Sequence, residues 1–477
     1  MSISLIEDKL NPTPDYYCTW QTQLYACNNG GPEKQREYMT EENLFGSGTA
    51  QGWVNFYDKA RKDLILIMDD SWDVPFSDYE KYYGSLVPDQ EKFPHFYEKD
   101  NPKKSLEKLV QKVKQAGWKG LGGWVCAQES PEYPEEKIED YWIKRLKWCQ
   151  DAEFCYWKVD WGDRAKSLEF REMLTKLQKK YAPDVTVEHA MLLDSVAFAD
   201  VFRTYDVPAI MSIPMTMQKM VDCLIHVDGG MINCEDEAYT AAALGCVMGI
   251  MRHPMRGNLP NGEPDLSFPA LHRNLKTKIT EITRSVRWHR MAPAFGNIKS
   301  EVRISDIRLT DYWKLESQHA EIEKWWGYKD GDRIEKTAPS AISRCMLLPK
   351  VKPNQNGLIP YVVSSKNPNG IISIAAMGRT LGREYGIPKC EIEIDGGDSK
   401  IFGIFGEYEK LIIRTKFTEG KVFAQDIAAN EAMDITEQVE FAENKIIIDG
   451  KTIQVIGTLC NEAGDTSEPG MVLKIMQ

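Results

Sequence analysis

Residues 63–72 read DLILIMDDSW, and the fold turns on this stretch. One charged residue is followed by five apolar ones, Leu64-Ile65-Leu66-Ile67-Met68, without the polar alternation of a half-exposed strand. A run of this kind belongs to a strand buried on both faces, as in a parallel sheet covered by helices. It ends in Asp69-Asp70-Ser71-Trp72. Two adjacent carboxylates at the exit of a buried strand can hydrogen-bond sugar hydroxyls, or they can cap a helix.

Going toward the C-terminus, residues 101–115 have helical periodicity, with Leu106, Leu109, Val110 and Val113 on one face. GWKGLGGWVC (117–126) reads as the next strand, loosened by glycines that let a ligand approach its backbone, and it carries Trp124. A helix over 141–150 then leads into Cys155-Tyr156-Trp157-Lys158-Val159-Asp160-Trp161-Gly162-Asp163. Lys158 and Asp160 alternate along this run, so both point the same way from a strand that ends at Gly162. A carboxylate held ionised by a neighbouring ammonium and walled by indole rings is what a glycosidase nucleophile needs. The plainer reading is a surface ion pair on an edge strand, but two Trp and one Tyr around the pair argue against it. Strand and helix have by now alternated repeatedly with one buried strand each time. The pattern implies a parallel sheet with right-handed crossovers, and the length suits a (β/α)8 TIM barrel.

Upstream, residues 13–25 suggest a first strand with Trp20 near its end, followed by a long connection through Asn28-Asn29-Gly30-Gly31-Pro32 that contains a helix. Downstream, Leu168 to Tyr181 is a basic amphipathic helix with a solvated face. Residues 184–189 form a short strand ending in Glu188, a candidate substrate contact, and His189, expected to be structural. Val201 to Pro208 is another strand exit, where Arg203 and Asp206 stand beside Tyr205, and Asp206 is the natural partner for Asp160. Residues 230–257 hold a tightly packed helix and a last strand. Glu235, Asp236 and Glu237 cannot all face one ion from regular structure, so a capping role is expected. Arg252 and His253 read as a surface turn, and residues 271–291 as a long helix closing the barrel. From Ile342 onward short β runs alternate with turns at Asn369-Gly370, Asp395-Gly396 and Asp449-Gly450, which gives an antiparallel β-sandwich in a supporting role. The expected organisation is a barrel over 1–295, a connecting segment over 296–341 and a sandwich over 342–477.

Bulk composition bounds the function. A chain of 477 residues exceeds what one core usually supports, in keeping with two domains. Its net charge is -12 with Lys and Arg interspersed among acids, so nucleic acid and anionic lipid are not expected partners. No run of about 18 apolar residues exists to span a membrane. The start, MSISLIEDKLNP, lacks the basic and apolar regions of a signal peptide. The eleven Cys show no CxxC pair or Cys/His ligand spacing, so they read as reduced core residues, leaning toward the cytoplasm, and zinc is not expected.

Taken together these residues resemble the α-galactosidase-like glycoside hydrolases of family 27 and the related family 36. Asp69-Asp70-Ser71-Trp72, with GSLVPDQEKFP (84–94) after it, is similar to the family's paired Asp, Trp and downstream Pro-Asp and Phe-Pro segment. Trp157-Lys158-Val159-Asp160-Trp161 resembles its nucleophile strand, and Arg203-Thr204-Tyr205-Asp206 the strand carrying its acid/base. The resemblance implies a (β/α)8 barrel followed by a β-sandwich, and hydrolysis of a terminal α-linked sugar, an α-galactoside first, through a covalent glycosyl-aspartate. It implies Asp160 as nucleophile, Asp206 as acid/base and Lys158 on sugar hydroxyls. Asp69 and Asp70 would grip the outer hydroxyls, Trp20 would line the wall, and Glu188 would lie near the 2-position. Trp124 and Arg203 complete the expected substrate-binding set. No metal or organic cofactor is implied, and association of copies is compatible with a helical shell.

The chain also departs from the family. The family's acid/base lies four residues after the Arg, whereas Asp206 lies three after Arg203, and the segments around Glu188-His189 and Met251-Arg252-His253 differ. Other sugars, an N-acetylhexosaminide or a pentopyranoside, are therefore alternatives, as is a carbohydrate-binding pseudoenzyme. In a retaining mechanism the two carboxyl groups should lie about 5 to 6 Å apart.

Overall fold

The computed structural model describes residues 3–47, 50–76, 79–190, 192–204, 211–255, 257–265, 278–296, 300–315, 329, 331–382 and 384–476. Eight parallel strands form the first sheet: β1 (Tyr16–Cys18), β2 (Ile65–Met68), β3 (Gly120–Val125), β4 (Phe154–Val159), β5 (Thr186–His189), β6 (Val201–Arg203), β7 (Met231–Asn233) and β8 (Gly249–Ile250). β8 pairs back onto β1 with Tyr16 opposite Gly249, and a bridge between Asn233 and Val247 closes the ring. The helices of the barrel include, in chain order, α1 (Trp20–Ala26), α2 (Pro32–Glu37), α3 (Pro102–Gln115), α4 (Ile138–Ala152), α5 (Leu168–Tyr181), α6 (Ser212–Leu224), α7 (Ala238–Leu244) and α8 (Ile279–Trp288).

The continuous apolar run in β2 follows from this architecture. Ile65 and Ile67 face the barrel interior with Tyr16 and Tyr156. Leu66 and Met68 face outward, in the cluster that holds Leu106, Leu109, Val110 and Val113 of α3. α3 begins where the Asn101 side chain accepts from the Lys104 N–H at 3.1 Å, with Pro102 at the first helical position.

The glycines of β3 serve the barrel's own packing. A Cβ on Gly122 would stand 2.5 Å from the Tyr156 Cβ and 2.7 Å from Ile67 Cδ1. The missing side chain lets Tyr156 lie across the lumen, so the space that the sequence reading kept for a ligand is filled by a tyrosine.

Several local readings are corrected. β1 stops at Cys18, and Trp20 opens α1 instead of ending a strand. The closing helix is α8, shorter than expected, and residues 271–277 of that reading lie outside the described residues. His253 is buried and Arg252 half-buried, so this is not a surface turn: Arg252 Nε lies 2.9 Å from Asp236, and the His253 ring packs at 4.7 Å on Tyr25.

The C-terminal part is a sandwich. An eight-stranded sheet running from Val302–Ile304 to Met433–Asp434 faces a five-stranded one that includes Glu391–Gly397, Lys410–Thr415 and Lys445–Asp449. Ile374, Ile404 and Leu473 meet Ile392, Leu411 and Ile446 between them. The alternate residues Ala375, Phe405 and Val472 join the barrel's cluster with Val286 and Trp288 of α8. Pairing is mixed where an antiparallel sandwich was expected, because Ile372–Met377 and Ile401–Phe405 run parallel. Between those two strands the chain crosses through the opposite sheet at Glu391–Gly397, and such an excursion lets it re-enter in the same direction. Strands Val302–Ile304, Arg308–Lys314 and Arg333–Pro339 lie within the segment read as connecting.

One buried ion pair fastens the two parts. Arg284 of α8 donates from Nε and Nη2 to the two oxygens of Asp426 at 2.9 and 2.8 Å, and both side chains are sealed from solvent. Arg284→Ala leaves Asp426 charged and uncompensated, and should lower unfolding free energy by about 3–5 kcal/mol in urea titrations.

Candidate active site

The C-terminal ends of the barrel strands converge on a set of charged side chains. Lys158 and Asp160 leave β4 on one side, with Lys158 Nζ 3.7 Å from Asp160 Oδ2. The same ammonium donates to Asp69 Oδ2 at 2.7 Å, across from the end of β2. Burial is the largest single influence and works against the Lys158 charge, but Asp69, Cys18 and Asp160 together outweigh it, so the ammonium is held well above its ordinary range. Asp69 also accepts from the Cys18 thiol at 2.7 Å, and its N–H donates to Thr19 Oγ1 at 2.9 Å.

From β6, Arg203 Nη2 donates to Asp160 Oδ2 at 3.0 Å. The other oxygen, Asp160 Oδ1, is buried with no hydrogen-bond partner among the described residues. The backbone behind it is fixed, since Arg171 of α5 donates to the carbonyls of Asp160 and Val159 at 2.9 and 3.2 Å. Burial lowers the Arg171 pKa to about 10, with Asp160 opposing the fall.

Asp70 turns to other partners, accepting from Arg36 Nε at 3.0 Å and Ser71 Oγ at 2.9 Å. Burial raises its pKa, and Arg36 pulls it part of the way back. The Arg36 guanidinium lies 5.2 Å from the Trp161 ring and 5.6 Å from Tyr83. Trp161 packs at 5.3 Å on Trp124, so an aromatic wall rises beside the end of β4. Trp20, partly exposed, packs beside the lumen residues Tyr16, Cys18 and Ile67. A cavity of about 360 Å³ lined by Trp161, Gly162, Asp163, Gln128, Ala165 and Lys166 opens next to this end of β4.

Glu188 lies deeper. It is fully buried, accepting from Tyr16 at 3.0 Å, Tyr156 at 2.9 Å and Asn233 at 2.8 Å. Burial raises its pKa and Arg203 opposes the rise. In this structure it binds protein groups beneath the mouth. His189 is a structural residue, fixed by Arg171 at 3.1 Å and Thr175 at 2.8 Å, and burial with Arg171 nearby holds its pKa far below the usual value.

The structure therefore brings together Asp69, Lys158, Asp160 and Arg203. Asp70, Trp124 and Trp20 stand around them, and Glu188 lies below. Asp206 lies outside the described residues.

Sequence reasoning missed Arg36, Arg171 and Glu235. Arg36 sits in the long connection after β1, where no periodicity points inward. Arg171 carried a signal, because it falls among Phe170, Leu174 and Gln178 on the buried side of α5. The three acids after β7 do not act as a capping group: Glu235 lies 3.5 Å from Arg203, and no side-chain bond caps α7.

No protein-family model and no curated protein matches the chain. Among solved structures it is similar to α-galactosidase I from Mortierella vinacea, at 11% identity over 99% of this chain and 98% of that one, with a TM-score of 0.40. A GH27 β-L-arabinopyranosidase from Geobacillus stearothermophilus is similar at 10% identity, over 98% and 96%, with a TM-score of 0.41. An α-galactosidase from Saccharomyces cerevisiae is similar at 11% identity, over 99% and 100%, with a TM-score of 0.39. These likenesses are distant, and the architecture above stands on its own strand pairings.

Next to Asp70, buried Asp73 accepts from the Leu86 N–H at 2.9 Å, and burial pushes its carboxyl up to about 7. The native state thus keeps a proton that the unfolded chain releases near pH 4, and stability should fall as pH rises from about 4 to about 7. Urea titrations of Asp73→Asn across that window should show the fall reduced by a few kcal/mol, on the order of 1.4 kcal/mol per pH unit.

Proposed function

We propose that this chain is a retaining glycoside hydrolase that cleaves a terminal α-linked sugar, with an α-galactoside as the first substrate to try. The observation that carries the reading is the state of Asp160. One of its oxygens is held by Arg203, while the other is buried at the barrel mouth with no hydrogen-bond partner among the described residues. A carboxylate in that state has one lone pair directed away from its protein contacts, as an attacking group requires.

In the first step Asp160 Oδ1 bonds to the anomeric carbon and the bond to the leaving oxygen breaks. Asp206 gives that oxygen a proton. Its assignment rests on the strand-exit motif Arg203-Thr204-Tyr205-Asp206. In the second step Asp206 takes a proton from water, the water oxygen bonds to the anomeric carbon, and Asp160 leaves as carboxylate. Lys158 and Asp69 supply a fixed donor and acceptor pair for sugar hydroxyls, and Trp161, backed by buried Trp124, offers an apolar face to the ring. The protein groups named here complete the reaction without a cofactor, and the partner is carbohydrate.

A panel of nitrophenyl glycosides covering galactose, N-acetylgalactosamine and arabinopyranose tests the activity and the sugar together. Asp160→Asn should lower turnover on the order of 10⁴-fold or more. Asp206→Asn should spare the first step for good leaving groups and slow it for poor ones. An Asp160 variant that keeps most of its activity removes the proposal. Retained sugar binding with no turnover of any glycoside by the native chain would favour a carbohydrate-binding pseudoenzyme.

A further inference from the structure

Beyond β7 the three consecutive acids diverge. Asp236 accepts from the N–H groups of Met251 and Arg252 at 2.9 and 3.1 Å and pairs with the Arg252 side chain. Glu237 immediately precedes α7. Glu235 turns inward and is 5% exposed, with Oε2 3.5 Å from Arg203 Nη1, an ion-pair contact outside hydrogen-bond geometry. Since Nη2 of the same guanidinium holds Asp160 Oδ2 at 3.0 Å, one arginine spans two carboxylates.

We infer that Glu235 is a positioning residue for the hydrolytic reaction: it anchors one arm of Arg203, so that the other arm holds a single oxygen of Asp160. The inference rests on the hydrolase reading above. An arginine facing one carboxylate tends to grip it with two parallel N–H···O bonds. A grip of that kind on Asp160 would occupy Oδ1 as well as Oδ2 and cover the lone pair that attacks. Glu235 gives Nη1 a different partner, and Oδ1 stays unpartnered among the described residues.

Glu235 also moderates the field at Asp160. Among the described residues, Arg203 is faced by the acids Asp160, Glu188 and Glu235, by the phenol of Tyr16, and by the cations Lys158 and Arg171. An arginine shared between two anions stabilises each less than it would stabilise one, which preserves the nucleophile's reactivity.

The test compares the native chain with Glu235→Gln and Glu235→Asp on the nitrophenyl glycoside that the native chain turns over best. Glu235→Gln should lower kcat by about 10²-fold with little change in KM, as expected for a misplaced reacting group. The acidic limb of kcat/KM should move to lower pH, because an anion near the nucleophile is gone. Glu235→Asp, which keeps the charge, should recover part of the rate. An unchanged kcat and pH profile in folded Glu235→Gln overturns the inference. Unaltered rates on good leaving groups together with rescue by azide also overturn it, making Glu235 the proton donor instead. A crystal structure of Glu235→Gln reads the same point without activity: Arg203 bound to both oxygens of Asp160 supports the inference, and a single contact overturns it. A native chain that cleaves no glycoside counts against the hydrolase reading, and this structure still decides the role of Glu235.

Discussion

The ammonium of Lys158, buried between Asp69 and Asp160, is the constraint on which the rest of the barrel mouth depends. Alone it would be costly to bury, by several kcal/mol after relaxation, and without it two aspartates would face each other in one pocket. At 2.7 Å from one carboxylate and 3.7 Å from the other, it makes each affordable only in the presence of the other two. The pattern continues through Arg203 to Glu235, so charges of alternating sign, Asp69, Lys158, Asp160, Arg203 and Glu235, run across the exits of β2, β4, β6 and β7. Strand order fixes that sequence of charges, because Asp69 follows β2, Lys158 and Asp160 share the end of β4, Arg203 ends β6 and Glu235 follows β7. A shift of one residue in any of these strands would turn its charge into the helix layer.

Beneath this array lies a floor of neutral donors around one carboxyl group. Tyr16, Tyr156 and Asn233 all bond to Glu188, and Asn233 reaches back to the Gly249 N–H at 2.9 Å and to the Tyr16 hydroxyl at 2.9 Å. Five strands, β1, β4, β5, β7 and β8, are tied across the lumen by side chains as well as by the backbone ladder. Such a network is rigid when every member is satisfied. Gly122 makes it sterically feasible, since any side chain there would collide with Tyr156. The missing atoms of β3 and the position of Glu188 are therefore one feature.

How much of this was legible in the sequence follows from where each residue gets its partners. β2 was legible because two buried faces leave an unbroken apolar run, and β4 because Lys158 and Asp160 share a face by period alone. Short β runs with turn dipeptides disclosed the sandwich, but not its parallel pairs, since strand direction depends on where the chain travels between strands. Arg36 and Glu235 were not legible. Their partners lie far away in the chain, at Asp70 and Arg203, and the six-residue α2 that carries Arg36 and the turn that carries Glu235 are too short for a period to tell inside from outside. Arg171 lies between these cases: its helix face was readable, but a basic residue on that face reads as solvated until the carbonyl of Asp160 is seen beside it.

Size alone would have directed attention elsewhere. The larger cavity, about 740 Å³, lies between α8 and the C-terminal part, lined by residues such as Tyr57, Lys59, Arg287, Arg290, Cys460 and Glu462. Its buried cations are already engaged. Arg287 donates to the carbonyls of Ala428 and Ala429, and Arg290 holds both oxygens of Asp63 at 2.9 and 2.6 Å. The Lys59 to Glu462 pair at its lip is more than half exposed, where water competes for both partners. A cavity of that kind records where two packed bodies meet imperfectly. The barrel mouth offers less volume, but it holds Asp160 Oδ1, a buried carboxylate oxygen with no hydrogen-bond partner among the described residues, and a desolvated polar atom in that state gains more from an incoming ligand than one already satisfied.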